Sequence, residues 1–323
     1  MATRVRVGTC SFADEALTKH WYPPGVRSSE QRLAYYAEHF DTTEVDSTFY
    51  RLPSQEMTAG WAARTPDGFV FHVKAFAPMT RHPVKLEQLP PDLHEGLEID
   101  ARGRVERMPR EVRGEIFQRF LVAVAPLRDA GRLGGILLQL APYVVYKERS
   151  LGYLEWVREQ LAGEDVLVEF RHRSWLDDEH RAETLAFLEE HRLTNVIVDA
   201  PRSEAKNLIP TVVALTSPTA YVRMHGRNAS TWNVRGGRAS DRFDYLYREG
   251  ELREWVEPLR ELGAGAEQVY VLFNNNRWSP SADDPHKQLA QAPQNAELLA
   301  SLLRDADVDV GENGRFPLEP PSR

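Results

Sequence analysis

The sequence predicts an α/β protein folded as a closed (βα)8 barrel of the TIM type, with long loops after strands 3, 7 and 8. Three observations predict it. Short β-rich runs alternate with amphipathic helical runs along the whole chain, and such alternation implies a parallel sheet. Eight strand–helix units can be counted, and eight units in roughly 250–300 residues is the arithmetic of the closed barrel. The first strand leads into Gly8-Thr9-Cys10-Ser11, not the glycine-rich phosphate turn that a doubly wound open sheet would want there.

The elements follow in order. Val5–Thr9 reads as the first strand and Ser29–His39 as the first helix. Strands are expected at 42–47, 69–74, 135–140, 166–170, 195–198, 220–224 and Gln268–Phe273. Helices are expected near 54–64, at 111–130, 151–161, 179–191, 244–262 and 295–303, while the crossover near 202–215 has no clear pattern. Long connections at 75–110, 225–243 and 274–293 all follow strands, so in a barrel they lie on its C-terminal face. Residues 1–304 read as one domain, and the acidic, Pro-rich tail 305–323 as disordered.

Bulk properties narrow the function. The 323 residues are 42% hydrophobic, enough for a large core. No apolar run approaches the roughly 20 residues a membrane span needs, and residues 1–10 carry no signal-peptide apolar region. Cys10 stands alone, which excludes an intramolecular disulfide and a cysteine zinc cage. The expected location is therefore cytoplasmic, without a membrane partner. A net charge of -8 disfavours nucleic acid as a partner, since that needs a basic face.

Candidate site residues come from strand alternation. Thr42, Glu44, Asp46 and Thr48 share one face of the second strand. His72 and Lys74 share a face of the third, Leu167, Glu169 and Arg171 of the fifth, and Tyr221, Arg223 and His225 of the seventh. The eighth ends in Asn274, Asn275 and Asn276. Charges placed late in the strands belong to the barrel mouth, where the chemistry of this fold is found. They must be paired if buried, with Glu44 and Glu169 neutralised by Lys74, Arg171 and Arg223.

Glu44, Glu169 and His225 are the candidate catalytic groups, because two carboxyls whose environments differ can divide acid and base roles. Lys74, Arg171, Arg223 and Arg227 suit a phosphate or carboxylate. Asp46, Tyr50, His72, Trp175, Asn274 and Asn275 complete the expected binding set. Trp232 is a further stacking candidate, and Trp21-Tyr22-Pro23-Pro24-Gly25 could pave a wall of the mouth. Alternation with Val5, Val7 and Thr9 turns Cys10 away from the interior. No metal-binding spacing occurs, and no cofactor is called for.

Several stretches carry a family resemblance spanning nearly the whole chain. They are Val7-Gly8-Thr9, the run 39–53 containing Glu44-Val45-Asp46-Ser47-Thr48-Phe49-Tyr50, Val168-Glu169-Phe170-Arg171-His172, Tyr221-Val222-Arg223-Met224-His225-Gly226-Arg227, Phe273-Asn274-Asn275 and Ala292-Pro293-Gln294-Asn295-Ala296. The sequence resembles the YecE-like family, domain of unknown function 72. That resemblance implies a TIM-barrel-like fold and no established reaction; by analogy with barrel endonucleases it implies nucleic acid as a ligand. The chain departs from the family pattern at Cys10-Ser11-Phe12, at Asp46 where asparagine is common, and in a longer gap after Asn275.

Three functions follow. The first is an enzyme, of hydrolase or lyase type, using acid/base chemistry on a small anionic ligand at the mouth. The second is a nucleic-acid-binding or endonuclease-like barrel, which the arginine-rich stretch 223–242 would serve. The third is a non-catalytic ligand-binding or regulatory barrel.

Overall fold

The computed structural model describes residues 3–203, 205–230, 242–281 and 283–311. Branched aliphatic and aromatic residues, with threonine in their place in the second, mark eight runs that suit a pleated, doubly covered sheet. These runs form β1 (Val5–Thr9), β2 (Thr42–Val45), β3 (Val70–Lys74), β4 (Leu133–Gln139), β5 (Val166–Glu169), β6 (Thr194–Asp199), β7 (Thr219–Met224) and β8 (Gln268–Phe273). They pair in parallel and in sequence order, and β8 returns to β1 to close the barrel. No helix among the described residues is long and apolar enough to cross a membrane.

The helices wrap the outside. They are α1 (Glu15–His20), α2 (Ser29–His39), α3 (Gln55–Ala63), α4 (Arg110–Asp129), α5 (Glu148–Gln160), α6 (Arg181–Glu190), α7 (Glu249–Arg253), α8 (Val256–Gly265) and α9 (Gln291–Asp305). Ser28 starts α2 through a reciprocal capping box with Gln31, and Ser54 caps α3 through Met57 N–H. The long connection after β8 carries a small antiparallel hairpin, β9 (Trp278–Pro280) and β10 (Gln288–Ala290).

The structure resolves the unpatterned crossover and departs from expectation at the 244–262 helix, the tail and β1. The crossover from β6 to β7 contains no helix among the described residues. Pro201, Pro210 and Pro218 interrupt it, and hydroxyls replace helical bonds: Thr211 Oγ1 donates to Val198 O, and Thr216 Oγ1 to Leu193 O. The helix expected at 244–262 begins only at Glu249 and breaks into α7 and α8. Its first residues are drawn off by α9, since Tyr245 N–H donates to Gln291 Oε1 and Tyr247 N–H to Asn295 Oδ1. The first part of the tail packs on the barrel, where Val310 bridges Val5; residues 312–323 lie outside the described residues.

The phase of β1 is reversed from expectation. Thr9 faces α2, with its N–H and Oγ1 both on Tyr36 Oη, so Val5, Val7 and Thr9 point outward and Cys10 points inward. The strand register carries the inward set around the barrel: Arg6 beside Tyr270, Tyr270 beside Tyr221, Val198 beside Arg223, Gln139 beside Glu169, and His72 beside Glu44. A barrel interior is ordinarily filled by branched aliphatic side chains. Here arginine, glutamate, histidine and tyrosine occupy much of it.

Gly8 permits β1 and β2 to close up. A Cβ built there would lie 2.2 Å from Thr42 O, a backbone atom that cannot swing aside. Gly8→Ala should therefore lower stability by about 1–3 kcal/mol, read as a lower urea midpoint with an unchanged slope. An unaltered midpoint would mean that the two strands are free to separate.

Candidate active site

Arg223, near the C-terminal end of β7, is fully buried and lies between two carboxyl groups. Its Nη2 donates to Glu44 Oε1 at 2.7 Å and its Nη1 to Glu169 Oε2. Period-2 alternation places all three on the inner face, from β2, β5 and β7. Tyr221, two residues before Arg223, donates its hydroxyl to Glu44 Oε2 at 2.9 Å. Gln139, the last residue of β4, donates Nε2 to Glu169 Oε1 at 2.7 Å.

His225 completes the buried set. Asn274 Nδ2 lies 2.9 Å from its Nδ1, and its Nε2 lies 3.2 Å from Glu169 Oε1. The amide donates to Nδ1, so the ring proton sits on Nε2 and points at Glu169. Phe243 lies beside the imidazole, with centroids 5.4 Å apart.

The two glutamates are driven in opposite directions. Burial pushes Glu44 up to about 8; Arg223 opposes this and Asp46 adds to it. Burial alone would raise Glu169 too, but Arg223 and then His225 hold it well below the usual carboxylate range. Burial would likewise raise Asp46, yet Lys74 and the hydrogen bond from Glu44 bring it below the ordinary value. Of these two neighbouring carboxyls, Glu44 therefore favours its proton and Asp46 its charge. Burial lowers His225 to about 4, against the pull of Glu169.

A second tier reaches the rim. Lys74 Nζ stands 3.7 Å from Asp46 Oδ1 and 4.9 Å from the centre of the Phe49 ring. Arg171 Nη1 stands 3.9 Å from Glu169 Oε1. Among the described residues neither cation donates a normal hydrogen bond to a protein acceptor. Burial lowers Arg171; Glu169 opposes this, and the like charges of Arg223 and Arg242 add to the fall. No group of three or more His, Cys, Asp or Glu suited to a metal ion occurs among the described residues.

Other expected site residues stand elsewhere. His72 is buried deeper in the barrel, between the rings of Tyr221 and Tyr270 at 4.7 and 4.3 Å. Trp175 is buried outside the barrel, stacked on Phe170 at 4.4 Å with its Nε1 on Val144 O. Tyr50 is 64% exposed on the turn after β2; that turn also removes Thr48 from the strand face and points its hydroxyl at Lys74 O. Arg227 turns away to Asp199 and Glu254, because Gly226, at φ 86°, reverses the chain after His225. Asn275 ties Tyr245 O to Asn295. Trp21 packs among Tyr35, Tyr36, His39 and Phe40 on α2. Trp232 lies outside the described residues.

Tyr221 takes the inner face expected of it beside Arg223. Gln139, which the candidate set lacks, was legible from period 2 as an inward residue of β4. Cys10 lies beside Arg223 and Glu44, and burial raises its thiol well above the ordinary value. His82 sits in the loop after β3, where burial lowers it to about 4 and Lys74 and Arg171 add to the fall. No spacing in the sequence signals it.

Comparison with known proteins fits this architecture. The family model described as "Protein of unknown function DUF72" matches residues 6–313. The chain belongs to that family. It is 31% identical over 272 residues to the UPF0759 protein YunF of Bacillus subtilis, covering 83% of this chain and 88% of YunF. It is 27% identical over 228 residues to YecE of Escherichia coli K12, covering 66% and 73%. A crystal structure of a DUF72 protein from Enterococcus faecalis superposes with a TM-score of 0.73 at 25% identity, covering 93% of this chain and 95% of that one. One from Thermotoga maritima gives 0.70 at 30% identity, covering 93% and 99%. The barrel is therefore a property of the family.

The opposed protonation of the glutamates makes two variants distinguishable. Glu169→Gln removes the ionised partner of a buried arginine and should cost about 3–5 kcal/mol. Glu44→Gln replaces a group that is already neutral at pH 7 and should cost far less. Between pH 6.5 and 8 the native state holds the Glu44 proton and the unfolded chain does not, so this group's contribution to stability falls as pH rises through about 8. Urea midpoints across that window should decline less in Glu44→Gln than in the parent. Equal slopes would place the proton elsewhere.

Proposed function

We propose that this barrel is an enzyme performing acid/base chemistry on a small anionic molecule, phosphorylated or carboxylated, bound at its C-terminal mouth. The observation that carries this reading is the pair of glutamates on one guanidinium, one favouring its proton and the other its charge. Pairs of carboxyls set apart in this way divide acid and base roles. With Glu44 protonated, the cations Lys74, Arg171, Arg223 and Arg242 outnumber the ionised Asp46 and Glu169, leaving a local excess of two positive charges in a chain whose net charge is -8. An anion entering there replaces the long contacts of Lys74 and Arg171 with shorter ones.

In this mechanism Arg171 and Lys74 take the anionic group. Asp46, whose side chain is 29% exposed, delivers the proton stored on Glu44. Glu169, ionised, holds Arg223, orients His225 Nε2–H and is the base of the pair, taking the proton that an attacking water or the substrate gives up. Proton donation to a leaving group suits a hydrolase or a lyase.

Thermal-shift screening of phosphorylated and carboxylated metabolites, followed by turnover assays, tests the reading. Arg171→Gln should weaken ligand binding about tenfold or more. Glu44→Gln should bind ligand and fail to turn it over, and kcat should fall as pH rises through about 8 in the parent enzyme. Equal binding by the parent and an Arg171→Gln/Lys74→Gln double variant would sink the mouth as the anion site.

A further inference from the structure

A second concentration of positive charge lies on the rim, between the β3–α4 and β4–α5 connections. Its base is a short 3-10 turn, Ala77–Thr80, ending at Arg81. Four successive carbonyls of this turn are taken by donors from neighbouring elements. Arg113 Nε of α4 donates to Pro78 O at 3.1 Å, and Tyr153 Oη of α5 to Met79 O at 2.8 Å. Ala141 N–H donates to Thr80 O at 3.2 Å, and the Tyr143 hydroxyl to Arg81 O. The turn is therefore fixed from α4, from the loop after β4 and from α5. This fixing holds Arg81 at φ 64°, a left-handed conformation uncommon for a residue with a Cβ.

Around this platform three guanidinium groups gather without acids. Arg81 Cζ lies 5.1 Å and Arg113 Cζ 5.8 Å from the centre of the Tyr153 ring. Arg149 stands one helical turn before Tyr153 on α5, hence on the same face. Among the described residues none of the three has a carboxylate oxygen within 4.0 Å. Burial lowers Arg81; Tyr153 opposes this, and the like charges of Arg113 and Arg149 add to the fall. Arg113 and Arg149 occupy the opening turns of α4 and α5, whose N-termini lack side-chain caps. Helix dipoles disfavour cations there. Arg113 anchors the turn, and Arg81 and Arg113 pack on Tyr153, but none of these contacts offsets three like charges, whereas an oxyanion would be met by all three and by the positive end of α5.

We propose that Arg81, Arg113 and Arg149 form a phosphate-binding site on the barrel rim, built from side chains other than Lys74 and Arg171, with Tyr153 as its floor. The site takes a phosphate dianion, either free or as the phosphoryl group of an organic molecule. Tyr143, 61% exposed beside Arg81, offers a ring face to an organic part.

Calorimetric titration of the full chain with inorganic phosphate and with phenyl phosphate tests this. Arg81→Gln and Arg149→Gln are the informative changes, because neither side chain makes a hydrogen bond or ion pair among the described residues. The double variant should keep its thermal midpoint and lose about a hundredfold in affinity at one site. A Lys74→Gln/Arg171→Gln variant should retain that site. Tighter binding of phenyl phosphate would identify an organic phosphoryl group as the ligand, and equal binding would identify free phosphate. A parent-like isotherm from the rim double variant, or loss of all phosphate binding from the mouth variant alone, would overturn the rim site. The second result would leave the proposed function intact.

Discussion

The barrel interior depends on one buried guanidinium. Removing Arg223 from water is costly unless its charge is met, and two glutamates from the non-adjacent strands β2 and β5 meet it. Two full negative charges on one positive charge would overshoot, and the protein resolves this by leaving a proton on Glu44. The rest of the mouth follows from that choice. Gln139, Arg171 and His225 gather on the glutamate that stays ionised, while Tyr221 and Asp46 gather on the one that does not.

Alternation along a strand fixes which side chains point inward, and that is why Glu44, Lys74, Glu169, Arg171, Arg223 and His225 were readable from the sequence as one set. Height along the barrel axis was not readable, because it depends on the stagger between strands. His72 and Lys74 share a face, yet His72 lies a layer deeper, against Tyr221 and Tyr270. Phase was also lost in β1. Val5 and Val7 alternate with Arg6, and the apolar face reads as the inward one; here it packs toward the helices while Arg6 faces a polar interior, so Cys10 was assigned the wrong side. Arg227 continues an inward-facing series on paper, but the chain has already left the strand at Gly226; Asn275 falls in the outward series of β8, opposite Tyr270 and Asn274.

The long connections have an internal logic that composition alone does not reveal. The loop after β3 is built of short 3-10 turns and isolated bridges, stitched down by tyrosines and an arginine from the next two units. The loop after β7 is held at its start by Asp199, whose carboxylate accepts from Arg227, Tyr247 and Trp255. Tyr247 Oη in turn accepts the Gly226 N–H at 2.8 Å. The rim is thereby made rigid by hydrogen bonds between neighbouring units, which suits a surface presenting fixed charges to ligands.

The inward position of Cys10 has a consequence for watching this molecule move. It is the chain's sole thiol and is wholly sealed, next to the central arginine. A thiol reagent can reach it only when the packing around the inner end of the mouth opens. Under native conditions its labelling rate counts those openings directly, without an introduced probe and without knowledge of the substrate. Anything that binds in the mouth and favours the closed barrel would slow that rate, so the protein carries its own reporter of occupancy.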